Sequence, residues 1–205
     1  MPTVSEFAES IGNGTCSTEG VRGLNDQIFA LLLPAVSADL ISCAHLVSDM
    51  GASAIPFLQP SAVRALDRAV QEKGEGLRLN HAYRTLAHQI VLARWGRLGR
   101  CNITLVAQPG TSPHEKGIAI DINQHERWID VLGRHNWRWR GKADKPHFTF
   151  VGGGVSTRVL TESIRAFQKL WNIHNPGDRI REDGIFGNVE TRPRLLRSPI
   201  NGFNS

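Results

Sequence analysis

The chain has 205 residues, of which 40% are apolar and 21% are charged, a composition typical of a globular protein and not of a disordered or fibrous one. This length predicts one main domain with room for a small appendage. No apolar run reaches the roughly 18 to 20 residues of a membrane-spanning helix, and residues 1–10 lack the basic start of a signal peptide. We therefore expect no membrane span and no classical export signal.

The positive net charge of the chain favours an acidic partner. The formal charge is +5 and the isoelectric point is near 9.6. Basic residues are dense only in residues 94–100 and 134–145, and neither stretch matches a zinc finger, a basic zipper or an RNA-recognition motif. We expect no nucleic acid as a partner, and an anionic cell-wall polymer is the other acidic partner that this charge suits.

Three cysteines, Cys16, Cys43 and Cys101, have no C-x-x-C spacing, and this argues against a structural zinc knuckle. One disulfide with one free thiol fits the sequence, and so do three buried thiols. The lack of an export signal favours three thiols.

Helical and extended patterns mix along the chain without regular alternation. Helical spacing is found in residues 23–33, in a segment with Ser61 as its N-cap that runs to Gly74, from Thr85 onward, and in residues 126–135. Strand patterns are found in residues 77–80, 118–122, 137–140 and 147–151. The predicted class is α+β, with an antiparallel sheet and flanking helices.

The glycines at 152–154 are typical of a hinge, and we place a domain boundary after residue 154. Residues 1–154 then form the main domain and residues 155–205 a small helical module. In this module, apolar residues at i, i+4, i+7 and i+11 predict an amphipathic helix. These residues are Leu160, Ile164, Phe167 and Trp171.

Residues with metal-binding chemistry are concentrated in two short segments, Ser112 to Asp121 and Asp144 to His147. Two imidazoles and one carboxylate, with a fourth position left for water, make a catalytic zinc set. The candidate ligands are His114, Asp121 and His147. Asp144 precedes His147 by three residues, so a tight turn would bring it near enough to act as the general base.

These segments resemble the D-alanyl-D-alanine metallopeptidases, a family that includes VanY- and VanX-type carboxypeptidases and related phage L-alanyl-D-glutamate endopeptidases. The family pattern S-x-H-x-x-G-x-A-x-D, followed by acid-x-x-H, is complete in this chain. The resemblance implies a fold of the hedgehog and D-Ala-D-Ala peptidase type, the same three zinc ligands, and Asp144 as general base. It also includes Tyr83 and Arg84, which are similar to a Tyr-Arg element whose arginine holds the substrate and the developing oxyanion.

Substrate binding is expected to involve Tyr83, Arg84 and Ser112. A free C-terminal carboxylate needs a fixed cation, and the guanidinium of Arg84 can bind it through two parallel hydrogen bonds. Ser112 would donate a hydrogen bond to the substrate. Glu115 and Lys116 fall at variable positions of the pattern, so no chemistry is assigned to them.

Residues 157–198 resemble a peptidoglycan-binding repeat, with two departures from its pattern. The spacing from Gly187 to Thr191 is one residue longer than usual, and Pro193 must lie in the first turn of its helix. Wall binding and a purely structural cap both stay open for this segment.

The expected function is zinc-dependent hydrolysis of peptidoglycan stem peptides by a monomer, as a D-Ala-D-Ala carboxypeptidase or as an endopeptidase of the endolysin type. Its place of action would be the bacterial cell wall, reached from the periplasm, the exterior or, for a phage protein, at lysis. A non-catalytic wall-binding zinc domain is the alternative, and Asp144 argues against it because such a domain needs no base.

Overall fold

The computed structural model describes residues 1–10, 16–103 and 105–204. The helices are α1 (Val4–Ser10), α2 (Arg22–Leu32), α3 (Pro60–Lys73), α4 (Leu86–Arg97), α5 (Ile129–Arg134), α6 (Arg158–His174) and α7 (Thr191–Arg197). The strands are β1 (Ile41–Ser42), β2 (Val47–Met50), β3 (Phe57–Leu58), β4 (Leu77–His81), β5 (Ala119–Ile122), β6 (Trp137–Trp139) and β7 (His147–Phe150). Within these described residues, no helix has the length and apolar character needed to cross a bilayer.

The chain forms two compact units, each assembled from separate segments. The sheet unit comprises Ser37–Arg84 and Pro113–Val159, and the helical unit comprises Met1–Val36, Thr85–Ser112 and Leu160–Ser205. Residues 160–205 thus share a unit with two earlier segments. The division of the chain at residue 154 into a peptidase domain and a separate module stays a prediction.

A five-stranded sheet with the order β2-β4-β5-β7-β6 forms the centre of the sheet unit. Three of its four pairings are antiparallel, as predicted, but the edge pair β2 and β4 is parallel. Strands β1 and β3 form a separate antiparallel pair. The predicted mixture of helices and sheet is confirmed, and the sheet itself is mixed instead of purely antiparallel.

Strand alternation decides which side chains of the sheet unit face the core. Ile120 and Ile122 of β5, with Phe148 of β7, are fully buried in one apolar cluster. Asp121 and His147 alternate with these residues and therefore point to the opposite face. The same cluster contains Trp128 and Trp137, and Trp139 packs against it.

Two helices begin and end at residues whose chemistry explains the boundary. Helix α3 has Pro60 as its first residue and Gln59 as its N-cap, so the predicted N-cap role of Ser61 is wrong. Proline is favoured at this position because the first helical N–H has no partner in any case. The helix ends at Lys73 and is capped by Gly74, whose φ of 72° is left-handed. Helix α4 begins after Thr85, whose hydroxyl accepts a hydrogen bond from the His88 N–H.

In the helical unit, the C-terminal segment is fixed by hydrogen bonds to the N-terminal one. The Val4 N–H donates to the Ser198 carbonyl at 2.9 Å, and the Leu24 N–H donates to the Ile200 carbonyl at 3.1 Å. Of the four apolar residues predicted to share a face of helix α6, Ile164, Phe167 and Trp171 are buried and Leu160 is partly buried. Pro193 lies in the first turn of α7, again as predicted.

A disulfide joins Cys16 and Cys101, and Cys43 is a buried free thiol. The preference for three thiols was therefore wrong. The two bonded cysteines are 85 residues apart in sequence, and both belong to the helical unit, so only the folded chain shows that they meet.

Replacing Cys101 with serine should lower the free energy of unfolding by about 2 to 5 kcal/mol, because the closed loop restricts the unfolded chain. Urea titration of the oxidised protein and of C101S measures the difference. Reductant should destabilise the wild type and leave C101S unchanged. Equal midpoints for the oxidised wild type and C101S would contradict this prediction.

Candidate metal centre and active site

A glycine turn sets the position of His114 ahead of strand β5. Gly117 has a φ of +68°, and a Cβ atom there would lie 2.7 Å from Leu40 Cδ1. The Gly117 N–H donates to the His114 carbonyl at 3.1 Å, and the Gly117 carbonyl accepts from the Gln59 N–H at 2.8 Å. Only glycine combines this backbone angle with this close approach. The glycine of the motif is therefore a structural requirement of the loop that carries His114.

His114, Asp121 and His147 converge on one point and could hold a metal ion. His114 Nε2 lies 3.1 Å from His147 Nδ1 and 3.3 Å from Asp121 Oδ1, and His147 Nδ1 lies 3.0 Å from that same oxygen. A tetrahedral ion with bonds of 2.0 to 2.1 Å has its ligands about 3.3 Å apart. The three atoms thus have nearly the spacing of a tetrahedral zinc site.

The outer nitrogens of both imidazoles have partners of their own. His114 Nδ1 lies 2.7 Å from the Ala82 carbonyl oxygen, and His147 Nε2 lies 2.9 Å from the Thr149 hydroxyl oxygen. A carbonyl only accepts, so His114 Nδ1 carries the proton and Nε2 has the lone pair. The Thr149 hydroxyl can donate or accept, and where it accepts from His147 Nε2 the lone pair of this imidazole is on Nδ1. Two lone pairs and a carboxylate oxygen that face one another suit a cation.

The electrostatic environment favours the protonation states that bind a metal. Burial, with the nearby positive charge of Arg84, lowers the pKa of His114 to about 4, so this imidazole is neutral at pH 7. Burial opposes ionisation of Asp121, yet the pKa of this carboxyl lies well below its ordinary range. The guanidinium of Arg84, which pairs with this carboxyl, favours its ionised form.

Arg84 pairs with the second carboxylate oxygen of Asp121. Its Nη2 donates to Asp121 Oδ2, while its Nε is buried and has no hydrogen-bond partner among the residues the structure describes. His81 approaches the same oxygen, with Nδ1 at 3.6 Å, and its Nε2 lies 3.3 Å from the Ser53 hydroxyl. Asp121 therefore directs one oxygen to the two imidazoles of the candidate metal site and the other to Arg84.

Asp144 lies in the turn that leads into β7. Its carbonyl accepts from the His147 N–H at 3.1 Å, and its own N–H donates to the Gly141 carbonyl at 3.2 Å. Its side chain is 27% exposed. Partial burial and the negative charge of Asp121 raise the pKa of the Asp144 carboxyl. This carboxyl therefore holds a proton more readily than an ordinary aspartate, which suits a group that accepts and returns a proton.

Two predicted substrate contacts are buried. Tyr83 has no exposed surface, and its backbone pairs with Ile55. Ser112 is 2% exposed and belongs to the helical unit. Neither side chain offers surface to a substrate in this conformation, so their proposed contact with substrate would require a rearrangement.

An open cleft of the sheet unit includes Asp121 and Arg84 in its wall. The other lining residues are Gly51, Ser53, Asn80, His81 and Pro146.

Sequence reasoning missed His81, Ser53 and Thr149. The position of Thr149, two residues after His147 on one strand, could have identified it, since such residues share a face.

The Thr149→Val variant should bind zinc about 10- to 100-fold more weakly, because its isosteric side chain removes the oxygen that orients His147. Competition with a chromogenic chelator gives the affinity. Thr149→Ser, which keeps the hydroxyl, is the matched control. It should bind zinc with most of the wild-type affinity. If the Thr149→Val variant binds zinc as tightly as the wild-type protein, Thr149 does not position His147.

The sheet and the buried His-Asp-His group define a candidate metalloprotein. Residues 59–148 match the family model VanY, D-alanyl-D-alanine carboxypeptidase. This match confirms the resemblance stated for residues 59–148. Residues 157–198 lie outside the match, so their likeness to a peptidoglycan-binding repeat stays a prediction. No curated protein matches the chain.

Proposed function

We propose that the protein is a zinc-dependent peptidase that removes the terminal D-alanine from peptidoglycan stem peptides. The observation that carries this proposal is the convergence of His114, Asp121 and His147 within 3.0 to 3.3 Å of one another. The VanY match over residues 59–148 supports the substrate class.

The donor set supports zinc over magnesium or calcium. His114 and His147 would supply neutral imidazole nitrogens and Asp121 a carboxylate oxygen, a combination that zinc accepts and that the harder ions do not prefer. When bound, zinc would polarise the scissile carbonyl and lower the pKa of water at the open position.

Asp144 is proposed as the general base and, later, the general acid. Its carboxylate would take one proton from the attacking water and pass it to the nitrogen of the leaving D-alanine as the C–N bond breaks. Its raised pKa supports the first step, because a more basic carboxylate accepts a proton more readily.

Arg84 is proposed to hold the terminal carboxylate of the substrate and the developing oxyanion. Its pairing with Asp121 fixes the guanidinium at the wall of the cleft. A planar guanidinium can use separate N–H groups for Asp121 and for a substrate carboxylate, whereas an ammonium has no such fork.

The Arg84→Lys variant should therefore lose at least about tenfold in kcat/KM on a free-carboxylate peptide. Because Arg84 also contacts a proposed ligand, zinc content must be measured in the same sample. The carboxylate contact is supported if the variant retains its zinc, hydrolyses the free-carboxylate peptide more slowly than the wild type, and hydrolyses the peptide amide as the wild type does. Unchanged hydrolysis of the free acid would remove Arg84 from the mechanism.

The alternative of an L-alanyl-D-glutamate endopeptidase acts through the same metal set, and the two differ in the bond that is cut. Mass spectrometry of products from a soluble pentapeptide stem and from intact sacculi distinguishes them.

Wall binding by residues 155–205 is a further part of the proposal, with the cell wall as the place of action and the monomer as the working form. The Cys16–Cys101 disulfide supports an oxidising compartment.

A further inference from the structure

The helical unit contains a second pocket, none of whose residues belongs to the proposed active site. Apolar side chains from α4 and α7 line part of it, namely Ile90, Ala93 and Leu196. The remaining lining residues are Arg94, Arg97, Arg192 and Gln108. The pocket therefore combines an apolar surface with three guanidinium groups and one amide.

Helical periodicity explains why these side chains meet. Ile90, Ala93, Arg94 and Arg97 occupy positions i, i+3, i+4 and i+7 of α4, which lie on one face of a helix. Arg192 and Leu196 are four residues apart on α7 and again share a face. Two helix faces, each with apolar and basic residues, thus line one pocket.

The positive charge of this arginine pocket is only partly compensated. Arg94 pairs with Glu9, but its Nε is buried and no described residue accepts a hydrogen bond from it. Arg192 donates to the neutral oxygens of Asn188 at 3.2 Å and Gln108 at 3.5 Å. Arg97 makes no ion pair with any residue in the described part of the chain.

The pocket has no acidic lining residue. Of its three guanidinium groups, only Arg94 has a carboxylate partner in the described structure. Guanidinium groups brought together without counter-charge repel one another, and an anion between them would relieve this repulsion.

We propose that the arginine pocket binds an oxyanion, a carboxylate or phosphate group, carried on a short aliphatic chain. The arginines match the planar oxygens of such a group. The apolar surface of Ile90, Ala93 and Leu196 would cover the adjacent methylene groups. This inference uses residues outside the metal centre and does not depend on the proposed peptidase activity.

Calorimetric titration of the full-length protein tests the proposal with three probes: inorganic phosphate, butyl phosphate and pentanoate. We expect butyl phosphate to bind more tightly than inorganic phosphate, because only the former has methylene groups to bury. Comparison with pentanoate shows whether the pocket prefers phosphate or carboxylate. Binding should weaken as salt is raised.

The R97Q/R192Q variant should bind butyl phosphate at least about tenfold more weakly than the wild type. R179Q/R181Q is the matched control, since it also removes two charges, from exposed arginines of the same unit that do not line the pocket. This control should bind butyl phosphate as the wild type does. Equal binding by R97Q/R192Q and wild type would overturn the proposal, and so would an equal loss in R179Q/R181Q, which would indicate diffuse attraction.

A measurement on the wild type avoids any effect of the substitutions on folding. In protein with ¹⁵N-labelled arginine, butyl phosphate should shift the Nε–H resonance of Arg94, whose Nε is buried without a partner among the described residues. An unchanged Arg94 resonance at saturating butyl phosphate would overturn the proposal. Neither assay requires zinc or hydrolysis, so its failure is distinguishable from failure of the peptidase proposal.

Discussion

The Asp144→Asn variant should retain its zinc and lose at least about a hundredfold in turnover. Asparagine has nearly the same shape and preserves the backbone turn into His147, but it cannot accept the proton of the attacking water. Metal content should not change, because Asp144 is not among the three converging candidate ligands. Elemental analysis and steady-state hydrolysis of a pentapeptide stem, made on the same preparation, give the two quantities.

The matched control is Asp130→Asn, the same chemical change at an exposed position of α5 in the sheet unit. It should hydrolyse the peptide as the wild type does. Near-normal turnover in Asp144→Asn would exclude Asp144 as the base, and loss of zinc in this variant would show that Asp144 helps to hold the metal.

The His147→Ala variant should lose both zinc and activity. Removal of one of the three proposed ligands should leave a site that cannot hold the ion through dialysis, and hydrolysis should fall to the level of the chelated protein. His45→Ala, at an exposed histidine of the same unit, is the control and should keep both.

Because His147 is 3% exposed, far-UV circular dichroism and the unfolding midpoint must be measured beside zinc content. A folded His147→Ala protein that retains one zinc per chain would contradict the assigned ligand set. The contrast with Asp144→Asn separates the ligand from the base, since only the ligand variant should release zinc.

The sequence alone predicted the candidate site because its geometry is mostly local. Alternation in β5 and β7 orients Asp121 and His147 away from the apolar cluster, and the turn at Gly117 determines where His114 lies. Each of these rules operates within a few residues. These local rules orient each side chain, but the contact of His147 with Asp121, 26 residues away, also requires the pairing of β5 with β7.

Features that depend on long-range pairing could not be predicted. The contact of Arg84 with Asp121 spans 37 residues of sequence, and the Cys16–Cys101 bond closes a still longer loop. The parallel pairing of β2 with β4 and the shared unit of residues 1–36, 85–112 and 160–205 are likewise properties of the whole fold. No periodicity in the sequence specifies which distant segments meet.

The most direct test of the proposed activity is mass spectrometry of a soluble pentapeptide stem after incubation with the zinc-loaded protein, the chelated protein and the chelated protein resupplied with zinc. We predict release of the terminal D-alanine in the first and third samples and an intact peptide in the second. Cleavage at the L-alanyl-D-glutamyl bond would identify the endopeptidase alternative instead. An intact pentapeptide in all three samples, or equal cleavage with and without zinc, would contradict a zinc-dependent carboxypeptidase.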